Sequence, residues 1–381
     1  TIAALWKRAE EQLAGYPGFA QGFLPGGRAP QAGERFASPE MAATLREIAA
    51  TKGESFYRGA LAGRIADFAA EHGAALTVDD LAAHRCDWVG TISGSFDDTA
   101  LHEIPPNGQG IVACMALGML QHTGIRDRDV DDPLALHLQI EAVKLALRDA
   151  AAYVADPGHM TGVTIEALLD PAYLAGRAAL IDPERATDFG AGAPKHGGTV
   201  YLCAADADGV MISYIQSNYS GFGSGVVVPG TGISLQNRGF GFTLQEGHQN
   251  RVGPRKRPFH TIIPGFLMQD GAPLAAFGVM GGPMQAQGHV QMMLRMELWG
   301  QDPQTAVDAP RWRVMQGLGL ACEEAMPEGT RARLAAMGHA ITTEAPDSAF
   351  GFGGAQIIRR LPAGGYIAGS DPRKDGCAGG F

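Results

Sequence analysis

Residues 195–209 read KHGGTVYLCAADADG. Gly197 and Gly198 lead into Thr199, a run of strand-favouring residues follows, and Asp208-Gly209 closes it with a turn signal. The next stretch, VMISYIQS (210–217), is strand-like again, so the two runs are expected to form a hairpin. A two-residue loop would place Thr199 opposite Asn218, and a four-residue loop would place it opposite Gln216. Either register brings Gln216–Tyr219, Ser217 above all, beside the Thr199 hydroxyl. Val200, Leu202 and Ala204 alternate with Tyr201, Cys203 and Ala205, apolar on both sides. Both faces are therefore expected to be covered, in a helix–sheet–sheet–helix or helix–sheet–helix core.

A threonine hydroxyl is a weak nucleophile and needs a base beside it. The stretch holds no obvious histidine or carboxylate for that task. Cleavage before Thr199 would free its own α-amine, whose reference pKa of about 7.7–8.0 suits a general base near neutral pH. The Gly197-Gly198 pair gives the backbone freedom to bend Oγ toward the preceding carbonyl. A plain strand threonine after a glycine turn is the alternative on pattern alone.

Ahead of the hairpin the pattern is helical. Ile2, Leu5, Trp6, Ala9 and Leu13 recur at helical spacing, Ser38-Pro39 opens a second helix, and Thr77 with Asp80 forms a capping-box signal. Leu136, Ile140, Val143, Leu147 and Val154 stripe a long helix over about 134–154, and PPNGQG (105–110) is a rigid turn, either a plain surface loop or a pocket wall. DFGAGAPKHGG (188–198) is a pliable segment separating the two halves. Beyond the hairpin lie a helix near 289–299 with Met292, Met293 and Met296 as core filler, a helix near 328–337 ended by Gly338, and strands near 340–344, 355–361 and 365–369.

The 381 residues are 45% hydrophobic and 18% charged, a globular composition with room for one large domain or two ordinary ones. A net charge of −10 disfavours nucleic acid and anionic membranes as partners, and no apolar run is long enough to span a bilayer. Cys86, Cys114, Cys203, Cys322 and Cys377 lack metal-ligand spacing and make a poor disulfide set. They favour a reducing compartment such as the cytoplasm, while a periplasmic or secreted location stays open. No metal or other cofactor is expected. GFG (221–223) and GTG (230–232) lack the strand–loop–helix setting of a phosphate loop.

Several ordered motifs resemble the γ-glutamyltransferase family of N-terminal-nucleophile hydrolases. They are YPGFAQGFLPGGRAP (16–30), FYRGALAGRI (56–65), HLQIEAVKLALRDAAAYVADP (137–157), GFGSGVVVPGTGISLQNRG (221–239), GPRKRPFHTIIP (253–264), FGVMGGPMQAQGHV (277–290), DPQTAVDAPRW (302–312) and SDPRKDG (370–376). The resemblance implies an α+β, four-layer αββα sandwich, with the front portion of the family fold missing before Thr1. It implies self-cleavage between Gly198 and Thr199, dividing the chain into a mainly helical large-subunit part (1–198) and a small-subunit part (199–381). These would pair as a heterodimer folded as one αββα unit.

The same resemblance places the nucleophile on Thr199, its supporting hydroxyl on Ser217 and the oxyanion-hole glycines on Gly281 and Gly282; a tight strand-to-helix turn is the other reading of that pair. Substrate contacts fall on Asn218 or Tyr219, Arg238, His260 and Thr261. Departures are marked. Val200-Tyr201 replaces the usual Thr-His, Tyr219 stands for an asparagine, Arg238 and Gly241 stand for the residues that grip an α-amine, and His260-Thr261 replaces two serines. The implied activity is amide hydrolysis or acyl transfer from a γ-glutamyl or related donor, a glutathione-like amide or peptide, to water or an amine. A cephalosporin (glutaryl-type) acylase and an uncleaved remnant with a binding or assembly role are the alternatives. Arg238 would then address the carboxylate or carbonyl of a glutaryl-like chain lacking the amine, or else serve structurally on strand-edge carbonyls.

Overall fold

A computed structural model describes residues 1–190, 198–345 and 351–381. Gly197 and most of the pliable 188–198 segment lie outside the described residues. Two compact units emerge, Thr1–Trp88 with Ser220–Asn237, and Val89–Tyr219 with Arg238–Phe381.

The first unit is mainly helical, with a two-stranded sheet of Val227–Val228 and Ile233–Ser234. Its helices include Ile2–Leu13, Pro39–Ala50 and Ala60–Glu71. Ser38 Oγ accepts from Met41 N at 3.3 Å, capping the second of these. The capping box at Val78–Ala83 closes in both directions, Asp80 N to Thr77 Oγ1 at 3.2 Å and Thr77 N to Asp80 Oδ2 at 2.9 Å. Leu61, Ile65, Phe68, Val228 and Ile233 form one small core, and Phe19, Leu24, Ala29 and Val227 another.

The second unit is built on a six-stranded antiparallel sheet. Its strands run in the order Ile92–Phe96, Thr99–Glu103, Gly265–Gln269, Ala272–Met280, Gly354–Arg360, Tyr366–Ser370. Side chains alternate between faces along Ala272–Met280. Phe277 meets the His289 ring of the helix Met284–Met293, with centroids 4.8 Å apart. Gly278 faces the other way, where a Cβ would lie 2.4 Å from the Tyr201 ring. Helices therefore pack on one face and the hairpin on the other. Gly110–Leu120, buried throughout, and Pro133–Tyr153 belong to the helical layer and share the main core with the sheet. A smaller sheet adds Trp312–Val314, Gly319–Glu323 and Ala340–Glu344, the last two parallel and joined through the helix Glu328–Ala336. The methionines at 292, 293 and 296 are buried in the core, as their type suggests.

The hairpin forms from Gly198–Ala205 and Met211–Tyr219, yet neither expected register runs along it from Val200 to Ala205. Val200 pairs with Gln216 and Ala205 with Met211, because Asp206 and Val210 close a three-residue loop through Asp206 N to Val210 O at 3.1 Å. Gly209 supplies the left-handed residue that such a loop requires, at φ 88°. Near the open end the ladder slips so that Gly198 faces Tyr219, and both Ser217 and Asn218 oppose Thr199 across a bulge. Nor are both faces buried. Val200, Leu202, Ile212 and Tyr214 are 58%, 47%, 52% and 51% exposed, since among the described residues only the Tyr201 side of the hairpin has a sheet against it.

The Tyr201–Gly278 contact leaves no room for a methyl group. Gly278→Ala should destabilise the protein by roughly 1–3 kcal/mol, read from urea unfolding midpoints. Gly63→Ala is the control. It lies inside the helix Ala60–Glu71 with nothing within 4 Å of its added Cβ, so it should be neutral or stabilising by up to about 1 kcal/mol.

Candidate active site

Thr199 is buried at the bulge. Its Oγ1 donates to Ser217 Oγ at 3.3 Å and accepts from Gln285 Nε2 at 3.4 Å. Ser217 Oγ also accepts from Tyr219 N at 2.9 Å, which helps hold Tyr219 at φ 79°, a left-handed backbone uncommon for a non-glycine residue. Strain of this kind gathers where side chains must be aimed.

Gly281 and Gly282 form the turn between the strand Ala272–Met280 and the helix Met284–Met293, at φ 128° and 62°. Glycine suits both values because a Cβ would be strained there. Among the described residues no carbonyl takes up either N–H, which leaves two donors for an incoming group. The turn is clamped from beneath. Gln285 N donates to Gly282 O at 3.0 Å, and the Gln109 carboxamide donates to Gly282 O at 2.9 Å and to Thr261 O at 2.7 Å. The PPNGQG turn is thus a wall of the site, paired with the neighbouring chain through His260 N to Asn107 O and Gln109 N to His260 O, both 3.0 Å.

Arg238 begins a short 3-10 turn, and its Nη1 donates to Thr261 Oγ1 at 3.3 Å. Nη2 reaches Ser217 O at 3.5 Å, and the guanidinium lies 5.4 Å from the Tyr219 ring centroid, a cation–π contact. Burial lowers its pKa to about 10, so the cation persists at neutral pH. Burial likewise raises that of the Tyr219 phenol. At Gly241 the backbone is closed, for a Cβ there would sit 2.1 Å from Phe259 O. Asn218, half-buried on the same strand, makes no side-chain bond to these groups among the described residues.

His260 is held through its backbone, while its Nδ1 is sealed from solvent without a partner among the described residues. Burial, then the nearby Arg238 and Arg257 cations, lower its pKa to about 4. The ring is neutral at working pH. Thr199, Ser217, Tyr219, Arg238 and Thr261 therefore form one bonded group. Gly281 and Gly282 join it through Gln285, and His260 borders it.

Two contributors, Gln109 and Gln285, are not evident from sequence chemistry, since a carboxamide neither titrates nor ligates strongly. The signal was indirect. Gln285, Gln287, His289 and Gln291 are polar at alternate positions of a helix that is buried throughout, and buried polar groups need partners.

His137, Glu141 and His339 are the described residues whose ligand atoms come close enough for a metal, within 4.8 Å of one another. Their hydrogen bonds argue against that use. His137 Nε2 donates to Asp182 O at 2.8 Å, and its Nδ1 is bonded to His339 Nε2 at 2.9 Å. The remaining His339 Nδ1 faces Lys144 Nζ at 3.5 Å, and that ammonium pairs with Glu141 at 2.7 Å. Lys144 already occupies the cation's place.

The His260 environment predicts a pH effect on stability. The unfolded chain takes up a proton on His260 below its ordinary pKa of 6.5, whereas the folded chain does so only near 4. Unfolding free energy should therefore fall as pH drops through this window. His260→Gln should flatten that fall by up to one proton, measured by urea denaturation at successive pH values. His339, lowered to about 3 mainly by burial, supplies part of the slope that remains.

The Gamma-glutamyltranspeptidase family profile matches residues 1–381. The oxamate amidohydrolase proenzyme of Klebsiella pneumoniae is 36% identical over 97% of this chain and 70% of its own length. A glutathione hydrolase-like proenzyme of Bacillus subtilis is 34% identical over 97% of this chain and 71% of its own length. A crystal structure of cephalosporin acylase from Bacillus halodurans superposes with a TM-score of 0.90 at 44% identity, covering 98% of this chain and 69% of that one. The α+β architecture is thus that of the N-terminal-nucleophile hydrolases, and the chain belongs to the gamma-glutamyltranspeptidase family of amide-cleaving enzymes.

Proposed function

We propose that this protein is a self-processing amidohydrolase in which Thr199 is the nucleophile, acting on amides whose short acyl group carries a carboxylate. The observation that carries the reading is the buried Thr199 hydroxyl, bonded to Ser217 and Gln285 beside a glycine turn whose two N–H groups meet no carbonyl among the described residues. In maturation, Thr199 Oγ adds to the Gly198 carbonyl carbon, and its proton passes to the scissile nitrogen as the C–N bond breaks. Water then hydrolyses the resulting ester, leaving the Gly198 carboxylate and a free Thr199 α-amine. The two pieces stay together as a heterodimer.

In turnover that amine takes the Oγ proton while Oγ bonds to the substrate carbonyl carbon. The Gly281 and Gly282 N–H groups receive the oxyanion, each such donor being worth about 3 kcal/mol of barrier. The C–N bond breaks, the leaving amine departs with the proton, and water attacks the acyl ester with the α-amine as base. The carboxylic product leaves and Oγ regains its hydrogen. Ser217 orients Oγ through the 3.3 Å bond.

Arg238 and Thr261 supply the acyl-group contacts. A guanidinium matches a carboxylate with two parallel hydrogen bonds. Arg238 rests on the carbonyl of the same Ser217 whose hydroxyl meets Thr199, which supports contact with a short acyl chain. Where the family's α-amine site has an acid, this chain has Gly241, and the closed backbone there excludes any side chain. That supports a donor lacking the α-amine, in the manner of oxamate or a glutaryl amide, over a γ-glutamyl one. His260, neutral, and Asn218 and Tyr219 complete the proposed substrate contacts.

Mass spectrometry of the purified protein should show two pieces, one ending at Gly198 and one beginning at Thr199, and Thr199→Ala should remain a single inactive chain. An intact wild-type chain that turns over amides would overturn the scheme. Oxamate and glutaryl amides should be cleaved in preference to the γ-glutamyl amide. Arg238→Met should lower kcat/KM on the carboxylate-bearing donors about 10–100-fold, the range for one hydrogen bond to a charged group, and leave a neutral acetyl amide unaffected.

A further inference from the structure

The Gln285 carboxamide lies between Thr199 and the chain behind it, and its two ends are not interchangeable. Oε1 accepts from Ile263 N at 3.2 Å, and Nε2 faces Thr199 Oγ1 at 3.4 Å. Rotating the amide by half a turn would set Nε2 against the Ile263 N–H, donor against donor, and lose that bond. The side chain is wholly buried, so water does not compete for either end. Its backbone is fixed as well, in the first turn of Met284–Met293, where Gln285 N binds Gly282 O at 3.0 Å. One residue thereby sets both the nucleophile oxygen and the turn offering the oxyanion donors.

Since Gln285 donates to Thr199 Oγ, the hydroxyl's own hydrogen is directed elsewhere, toward Ser217 at 3.3 Å. A lone pair of Oγ stays engaged by a neutral donor while the proton leaves. A donor in that position binds an oxygen acquiring negative charge more strongly than a neutral hydroxyl, which is the differential interaction that lowers a barrier. Bonds of this kind are often long before substrate binds and shorten as charge develops.

We infer that Gln285 is a catalytic residue, its Nε2–H stabilising negative charge on Thr199 Oγ both during self-cleavage at Gly198 and during attack on the substrate. The inference rests on the reading of Thr199 as nucleophile. The proton and bond changes are those of that scheme, and Gln285 neither gains nor loses a proton.

Two substitutions test it. Gln285→Met keeps the length and removes both bonds. It should slow self-cleavage and lower kcat about 100-fold, as expected for one lost donor to a developing oxyanion, with little change in KM. Gln285→Glu keeps an acceptor for Ile263 N but offers Oγ a donor only when the introduced carboxyl is protonated. Its kcat relative to wild type, compared at each pH, should be lowest at alkaline pH and recover as pH falls. A purely structural role would give Gln285→Glu wild-type kcat and self-cleavage at every pH, and that result overturns the inference even if Gln285→Met fails to fold. Thr199→Ala keeps the two ideas apart. If it retains activity, the nucleophile assignment itself is wrong. If it is inactive while Gln285→Met matches wild type, only the role of Gln285 falls.

Discussion

The site hangs on one buried helix whose polar side chains satisfy the backbone of its neighbours. Along Met284–Met293, Gln285 accepts from Ile263 N, Gln287 from Val314 N at 2.7 Å, and His289 from Val279 N at 3.3 Å, while Gln291 donates to Trp312 O at 3.1 Å. Each would cost about 1–3 kcal/mol if left buried without its partner. That penalty ties the helix to a single rotation and height. Because Gly281 and Gly282 open this helix, fixing it fixes the turn, and because Gln285 touches Thr199, it fixes the hydroxyl too. The His289 bond to Val279 N requires that the ring hydrogen be on Nδ1, directed at Glu103. Burial raises the pKa of that carboxyl, and its Oε2 lacks a partner among the described residues, so the pair adds orientation at an electrostatic cost.

Charge elsewhere in the core is arranged on the same logic. Lys144 and Glu141 are buried as an ion pair, with His137 and His339 bonded to each other beside them. Glu141 also accepts from Thr187 N at 3.0 Å, so the network holds the chain that approaches the Gly198–Thr199 junction. Toward the C-terminus Arg373 reaches Glu323 at 2.5 Å and Arg311 reaches Asp371 at 2.6 Å, with Arg373 also donating to the carbonyls of Val307 and Ala309. Replacing one member of such a set strands its partner's charge, which is far costlier than removing the pair.

How much of this was legible follows from what sequence encodes locally. Thr199 next to Ser217 was readable because a hairpin brings its arms together whatever its exact register. The register itself was not, since Asp206 and Val210 choose between loops by a single backbone bond and the bulge at Ser217–Asn218 has no residue signature. The capping box at Thr77 and the Ser38 cap are local and appear as read. Burial of the hairpin's second face failed as an expectation because Val200, Leu202, Ile212 and Tyr214 are apolar whether or not anything lies over them. Gln109 and Gln285 stayed hidden because their importance lies in partners 173 and 86 residues away, set by tertiary contact.

The electrostatic character of the site follows from the groups that the described residues bring to it. Around Thr199 the bonded groups are neutral donors and hydroxyls, the nearby imidazole is uncharged, and Arg238 brings the cation. In the proposed attack on a carboxylate-bearing amide, negative charge would grow on the carbonyl oxygen while the acyl carboxylate is already negative. In a short acyl chain these two repel, and the cost rises steeply as the local dielectric falls. A guanidinium on the acyl side offsets that repulsion without competing for the Thr199 proton, because it neither titrates near neutrality nor accepts a hydrogen bond. A lysine would be a poorer choice, since burial of this degree would draw its pKa down toward that of the α-amine base. Gly241 has no room for a side chain, so in the proposed function the same cation would discriminate by charge. On that proposal a donor with a bare carboxylate is favoured over one whose ammonium would lie near the guanidinium.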